Sequence, residues 1–225
     1  MKFFLDSAKL DEIEEAYETF GIDGVTTNPR HIQASGKSIM NAIEGMAKWA
    51  SDKKLADYNA FPISVEINPH LVKVDDMVAE AKKVAAISKT FVIKIPCNLE
   101  GVTAARILEK EKVRTNLTLV FSPSQAIMAA KCGALFVSPF FGWKEVTGED
   151  AKAYMKTIVD IYRVQNYKTE VLCASVRSGK HMVDCAAMGG DIITASLQVY
   201  KESVKHPYLM DGLAVFMDAW DNTAK

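Results

Sequence analysis

Short apolar runs alternate with amphipathic stretches along the whole length of this chain, and that alternation constrains its fold more than any other feature. Strand candidates fall at 3–6, 24–28, 63–68, 91–96, 116–121, 135–139, 170–176 and 192–197. Most are short and apolar throughout, the pattern of parallel strands covered on both faces. The intervening stretches carry apolar residues at helical spacing. Leu10, Ile13, Tyr17 and Phe20 form one such stripe, with Ser7 as a candidate N-cap and Gly21 as a stop. Ile39, Ile43, Met46 and Trp49 form the next, and Ser122–Pro123 suits a cap followed by a first-turn proline. Eight strand–helix units predict an α/β fold, the closed (β/α)8 TIM barrel. A doubly wound sheet would place a glycine-rich phosphate loop after its first strand, whereas that turn here reads LDSAKLDE.

The chain has 225 residues, 49% of them hydrophobic, and no linker or low-complexity tract, so 1–225 is expected to be one domain. A formal net charge of −1 gives no reason to expect a nucleic acid or an anionic membrane as partner. No apolar run approaches the ~20 residues that span a bilayer, and the first segment turns charged too soon for a secretory signal. Cys97, Cys132, Cys173 and Cys185 form no tight cluster and read as reduced packing residues of a cytoplasmic protein. A catalytic thiol at Cys97 is the minor alternative. The four histidines show no paired spacing, so neither a metal nor another cofactor is expected.

A barrel of this kind works at the carboxyl ends of its strands. Those ends carry Asp6, Asn28, Glu66, Lys94, Asn116 with Thr118, Ser138, Ser175 with Arg177, and Thr194 with Ser196. Barrel strands otherwise favour Val, Ile and Leu inside, so a polar side chain at nearly every end points to a site. Lys94 lies in FVIKIP among Val92, Ile93 and Ile95. Burial disfavours the ammonium form and frees an amine to attack a carbonyl. The alternatives are a lysine that snorkels to solvent or a buried ion pair with Asp6 or Glu66. Asp6 and Glu66 are the carboxylates available for proton transfer, although Asp6 could equally cap the first helix.

At these residues the sequence resembles the transaldolase family, in its small-transaldolase and fructose-6-phosphate aldolase branch. The carriers are LDSA, GVTTNP, SVEIN, VIKIP, TNLTLVFSPSQA, FVSPFFG and ASVRSG, in order over essentially the whole chain. The resemblance implies a class I aldolase mechanism in which Lys94 forms a Schiff base with C2 of a ketose. It implies that Asp6 takes the C4 hydroxyl proton, and that Glu66, with Thr118 holding a water, moves protons during imine formation. Asn28, Asn116 and Ser138 would bind the dihydroxyacetone portion, and Ser175 and Arg177 the anionic end of the sugar. Simple aldolases of the family carry Gln and Tyr where this chain has Glu66 and Phe140, so the resemblance implies a transferase. Release of free dihydroxyacetone and a non-catalytic barrel that binds a sugar phosphate are the alternatives. A homo-oligomer is implied too, with 207–220 packing on a neighbouring subunit or on its own barrel.

Two departures bear on the substrate. The family's SPFxGR reads SPFFGW here, putting Trp143 in place of an arginine, and TTNPS reads TTNPRHI, adding Arg30 and His31. Indole offers one N–H and no charge, so a dianionic phosphate loses a partner, whereas a sulfonate monoanion tolerates the change better. The pattern is thus similar to the sulfofructose transaldolases of sulfoglycolysis. The expected donor is 6-deoxy-6-sulfofructose, or fructose 6-phosphate as in the pentose phosphate route, with an acceptor such as glyceraldehyde 3-phosphate.

Overall fold

A computed structural model describes residues 1–223. Eight parallel strands close into a barrel in sequence order: β1 (Lys2–Asp6), β2 (Gly24–Thr26), β3 (Ile63–Glu66), β4 (Phe91–Pro96), β5 (Thr115–Val120), β6 (Phe136–Pro139), β7 (Glu170–Val176) and β8 (Ile192–Ala195). The helices that follow them are α1 (Leu10–Phe20), α2 (Pro29–Ala34), α3 (Ile39–Asp52), α4 (Val74–Ala85), α5 (Leu99–Lys110), α6 (Pro123–Lys131), α7 (Phe141–Val146), α8 (Ala151–Val164), α9 (Gly179–Ala187), α10 (Leu197–Ser203) and α11 (Pro207–Asp221). The TIM barrel expected from the alternation is therefore the fold. Among the described residues, no helix is long and apolar enough to cross a membrane.

Strand side chains alternate between two faces, and both faces are buried here. Outward residues such as Leu5, Val25, Ile63, Val65, Ile93, Ile95, Leu117, Val137 and Ile193 join the helices in one large apolar cluster. Inward residues split by height. Phe4, Val92, Phe136, Leu172 and Ile192 form an apolar floor inside the barrel. Two residues further along each strand, the same inward face presents Asp6, Lys94, Ser138, Ala174 and Thr194. An apolar plug thus supports a polar layer, and the site sits on that layer.

Two local expectations fail. Ser7 does not cap α1. The N-cap is Lys9, without a side-chain cap bond, while the Ser7 hydroxyl donates to Glu12 at 2.6 Å. Ile39 does not point inward either: it opens α3 just after the Ser38 cap and is 62% exposed. The cap at Ser122 is a full capping box with Gln125, and Gly21 ends α1 in the left-handed conformation.

Gly24 keeps the floor closed. A Cβ there would lie 2.7 Å from the Phe4 ring and 2.7 Å from the Pro62 carbonyl oxygen, and the backbone atom cannot yield. Gly24→Ala is expected to lower unfolding free energy by about 1–3 kcal/mol, the usual cost of overpacking a core. Urea denaturation measures it, and a midpoint equal to that of the wild type would contradict the close approach.

Candidate active site

The strand register places the central pair. Glu66 on β3 lies beside Lys94 on β4, which lies beside Asn116 on β5. Lys94 is 5% exposed. Its Nζ donates to the Thr27 carbonyl oxygen at 2.9 Å and stands 3.2 Å from Glu66 Oε2. Lys94 is thus buried and ion-paired with Glu66 rather than snorkelling to solvent. A proton leaving Nζ would have an acceptor within reach in Glu66.

The cavity above this pair has a volume of about 720 Å³. Its lining includes Asp6, Asn28, Arg30, Glu66, Lys94, Thr118, Ser138, Phe140, Trp143, Ser175 and Arg177. Eleven of the twelve residues expected at the site therefore meet around one space. Asn116 is the exception. It is fully buried, accepts a hydrogen bond from Ser138 Oγ at 2.7 Å and donates to Ser64 Oγ at 3.1 Å. It lies beside Lys94 but outside the lining, and its Oδ1 orients the Ser138 hydroxyl. Thr118 Oγ1 is buried and has no hydrogen-bond partner among the described residues, so its valence is open to a ligand.

Asp6 does not cap a helix. Its Oδ1 accepts from Thr26 Oγ1 at 2.7 Å, and its Oδ2 lies 3.1 Å from His31 Nε2. Burial pushes the Asp6 carboxyl up. The hydrogen bond and charge of His31, the Lys94 charge and the Thr26 hydroxyl outweigh burial and hold it below its ordinary value. The carboxylate is therefore ionised at neutral pH and can accept a proton.

At the opposite rim, two non-glycine residues adopt left-handed backbone conformations, Leu119 with φ 55° and Ser175 with φ 60°. Each falls where the strand register shifts, on β5 and β7. Such strain gathers where the surrounding structure enforces a functional geometry. Gly142 admits it: a Cβ there would lie 2.2 Å from the Ser175 carbonyl oxygen and 3.3 Å from Arg177 Nε. The buried His181 ring accepts the Arg177 backbone N–H at 3.2 Å through Nδ1 and meets Glu145 at 2.6 Å through Nε2. Trp143 stacks on Phe121 and meets Phe140 edge-on. Among the described residues, neither Arg30 nor Arg177 forms a salt bridge.

Sequence reasoning missed Thr26 and Leu119, and it left His31 without a role. Thr26 ends a three-residue strand, too short to show alternation. Leu119 reads as an ordinary strand residue until the bulge is seen. Among the described residues, no cluster of three or more His, Cys, Asp or Glu is placed to hold a metal.

Residues 3–224 match the family described as Transaldolase/Fructose-6-phosphate aldolase. The chain is 53% identical over 223 residues to a protein of Priestia aryabhattai named 6-deoxy-6-sulfo-D-fructose transaldolase, covering 99% of this chain and 96% of that one. A protein of Priestia megaterium with the same name matches equally. A protein of Brachyspira hyodysenteriae named a probable transaldolase is 39% identical over 216 residues, covering 96% of this chain and 95% of that one.

Cys97 lies outside the cavity lining, and its thiol faces the Gln125 carbonyl oxygen at 3.6 Å. Burial pushes the thiol up to about 12. At pH 8 almost none of it is thiolate, the form that reacts. Iodoacetamide at pH 8 should therefore leave Cys97 unmodified in the folded protein, as read by peptide mass mapping. Rapid alkylation with loss of activity would restore the thiol reading.

Proposed function

This chain belongs to the transaldolase/fructose-6-phosphate aldolase family and is a Schiff-base transaldolase; from that premise we propose that it transfers a dihydroxyacetone unit from 6-deoxy-6-sulfofructose to an aldehyde such as glyceraldehyde 3-phosphate. The observation that carries the chemistry is the buried Lys94 amine, 3.2 Å from Glu66 on the floor of the cavity.

On this reading Lys94 gives its proton to Glu66 and attacks C2 of the ketose. The carbinolamine loses its hydroxyl as water, with Glu66 supplying the proton and Thr118 Oγ1 orienting a water. Asp6 takes the C4 hydroxyl proton as the C3–C4 bond breaks, and the electron pair of that bond flows into the iminium to give an enamine. The first aldehyde leaves. The enamine stays, hydrogen-bonded by Asn28 and by Ser138, which Asn116 orients. An incoming aldehyde then reverses the steps. Glu66, a carboxylate where simple aldolases carry an amide, and Phe140 support transfer over release.

The substrate's anion is held at the rim by Ser175, Arg177 and Arg30, beside Trp143. Among the described residues no carboxylate forms a salt bridge with either guanidinium, which leaves them free for charge-assisted bonds to an anion. Trp143 adds apolar area and no charge, which favours a monoanionic sulfonate over a phosphate dianion. The names of the two Priestia relatives support the same donor. Four buried free cysteines suit the reducing cytoplasm.

The working form is proposed to be a homo-oligomer. Helix α11 buries none of its residues, and Tyr208, Leu209, Met210, Leu213, Val215, Phe216, Met217 and Trp220 are all exposed. Apart from one side carrying Asp211 and Asp218, the helix is apolar around most of its circumference, and such an exposed apolar surface marks an interaction site. This chain's own barrel does not cover α11, and a second copy supplies a matching apolar surface.

Three outcomes test these points. Donor comparison should give 6-deoxy-6-sulfofructose a kcat/KM at least equal to that of fructose 6-phosphate. Trp143→Arg should move the ratio toward phosphate by about tenfold or more, the worth of one hydrogen bond to a charged group. A strong wild-type preference for phosphate would remove the sulfonate. Without an acceptor aldehyde, free dihydroxyacetone should form far more slowly than transfer proceeds, and release at the full turnover rate would make the enzyme an aldolase. Light scattering should report a multiple of the chain mass that falls to the monomer in Phe216→Glu/Trp220→Glu. A wild-type monomer would contradict self-association.

A further inference from the structure

Behind the rim that carries Arg177 and Trp143 lies a buried imidazole with a partner on each side. His181 is the third residue of α9, and the Ser178 side chain fixes it there by accepting its backbone N–H at 3.2 Å. The ring is 7% exposed and meets the buried Phe141 ring edge-on at 5.1 Å. Burying an imidazole costs free energy unless its polar atoms find hydrogen-bond partners. Nδ1 accepts the Arg177 backbone N–H at 3.2 Å, and a ring nitrogen that accepts carries no hydrogen of its own. The ring hydrogen therefore sits on Nε2, which donates to Glu145 Oε2 at 2.6 Å.

These partners belong to the two halves of the rim. Arg177 follows the end of β7, where Ser175 holds its left-handed conformation. Glu145 lies on α7 two residues after Trp143, so the two side chains leave nearly opposite sides of the helix. A helix of six residues with no side-chain cap at its start does not fix its own orientation. Its side chains do so instead. Trp143 stacks on Phe121 at the cavity, Lys144 lies 5.3 Å over the Tyr154 ring, and Glu145 meets His181 behind. Between these ties, a Cβ on Gly142 would come within 3.3 Å of Arg177 Nε. A shift of α7 against β7 therefore changes the gap between guanidinium and indole.

We propose that His181 is a positioning residue for donor recognition: its ring holds the Arg177 backbone through Nδ1 and, through Glu145, the helix that carries Trp143, and so sets the gap that receives the donor's terminal anion. The inference rests on the proposed reading of this rim as the anion site. His181 and Glu145 both lie outside the cavity lining, so they act on the donor only through Arg177 and Trp143. A guanidinium's bonds to an anion depend on distance and angle together. Loosening the strut therefore weakens donor binding, while Lys94, Glu66 and Asp6, on β4, β3 and β1, keep their places. A ring needed for packing alone could be a phenyl, which would leave the Arg177 N–H and Glu145 without this partner.

Steady-state transfer from 6-deoxy-6-sulfofructose to glyceraldehyde, an acceptor without an anion, measures donor KM and kcat separately. Borohydride trapping of dihydroxyacetone on Lys94 reports the reacting centre alone. His181→Phe should raise donor KM about tenfold or more, the scale of one weakened bond to a charged group. Its kcat should stay within about threefold of wild type, and its half-saturation for dihydroxyacetone trapping within about twofold. Glu145 is 47% exposed, so Glu145→Ala tests the same strut without disturbing the interior and should raise donor KM about threefold or more. Gln keeps an oxygen that accepts from Nε2, so Glu145→Gln should return donor KM to within about twofold of wild type. Wild-type donor KM in both His181→Phe and Glu145→Ala would overturn the inference. So would a loss of dihydroxyacetone trapping in step with the rise in KM, or a Glu145→Gln as impaired as Glu145→Ala. Arg177→Met separates the inference from its premise: it should raise donor KM at least as much as His181→Phe, and an unchanged KM there would instead refute the anion site itself.

Discussion

A primary amine enclosed in a barrel is tolerated because its surroundings replace the water it lost. Lys94 has the Thr27 carbonyl oxygen at 2.9 Å and Glu66 at 3.2 Å. Removing either charge of such a pair would strand the other in a poorly solvated place. The rest of the molecule arranges this contact. The closed barrel fixes β3 and β4 in the register that makes Glu66 and Lys94 neighbours. The apolar floor of Phe4, Val92, Phe136, Leu172 and Ile192 seals the layer beneath them. The strand ends then deliver Asp6, Thr118 and Ser138 around the same amine.

The pairing also divides the proton traffic. Glu66 lies at the amine and, in the proposed mechanism, serves the making and breaking of the imine. Asp6 lies across the barrel, held by Thr26 and His31, and in the proposed mechanism serves the carbon–carbon bond. Separation lets one lysine sit near two carboxylates without both duties falling on one group. The proposed anion end is built apart from either, on two strained strand ends and on the short helix that carries Trp143. On the proposed reading, substrate choice can therefore change at Arg30 and Trp143 while the reacting centre stays intact.

Much of this was legible in the sequence because it depends on strand ends. Strands of four to seven residues with uniform apolar character announced the barrel. A lysine inside FVIKIP and a glutamate inside ISVEIN stood out against apolar neighbours. What escaped was short or bent. Helices α2 and α7, six residues each, are too brief to show a helical period, yet they place Arg30, His31 and Trp143. The bulges at Leu119 and Ser175 leave no mark in composition. Asn116, expected against the sugar, lies outside the cavity lining and bonds Ser64 and Ser138, an arrangement that strand-end position in the sequence does not reveal. Ser7 lost its capping role because the chain runs extended to Lys9 before α1 begins.

The central claim is that Lys94 is the carbon-carrying nucleophile. Peptide mapping by mass spectrometry after incubation with 6-deoxy-6-sulfofructose and borohydride, with no acceptor aldehyde present, tests it most directly. A reduced dihydroxyacetone adduct on the Lys94 peptide, abolished in Lys94→Ala, is the predicted result. An adduct on another lysine, or none with either the sulfonated or the phosphorylated ketose, would contradict it.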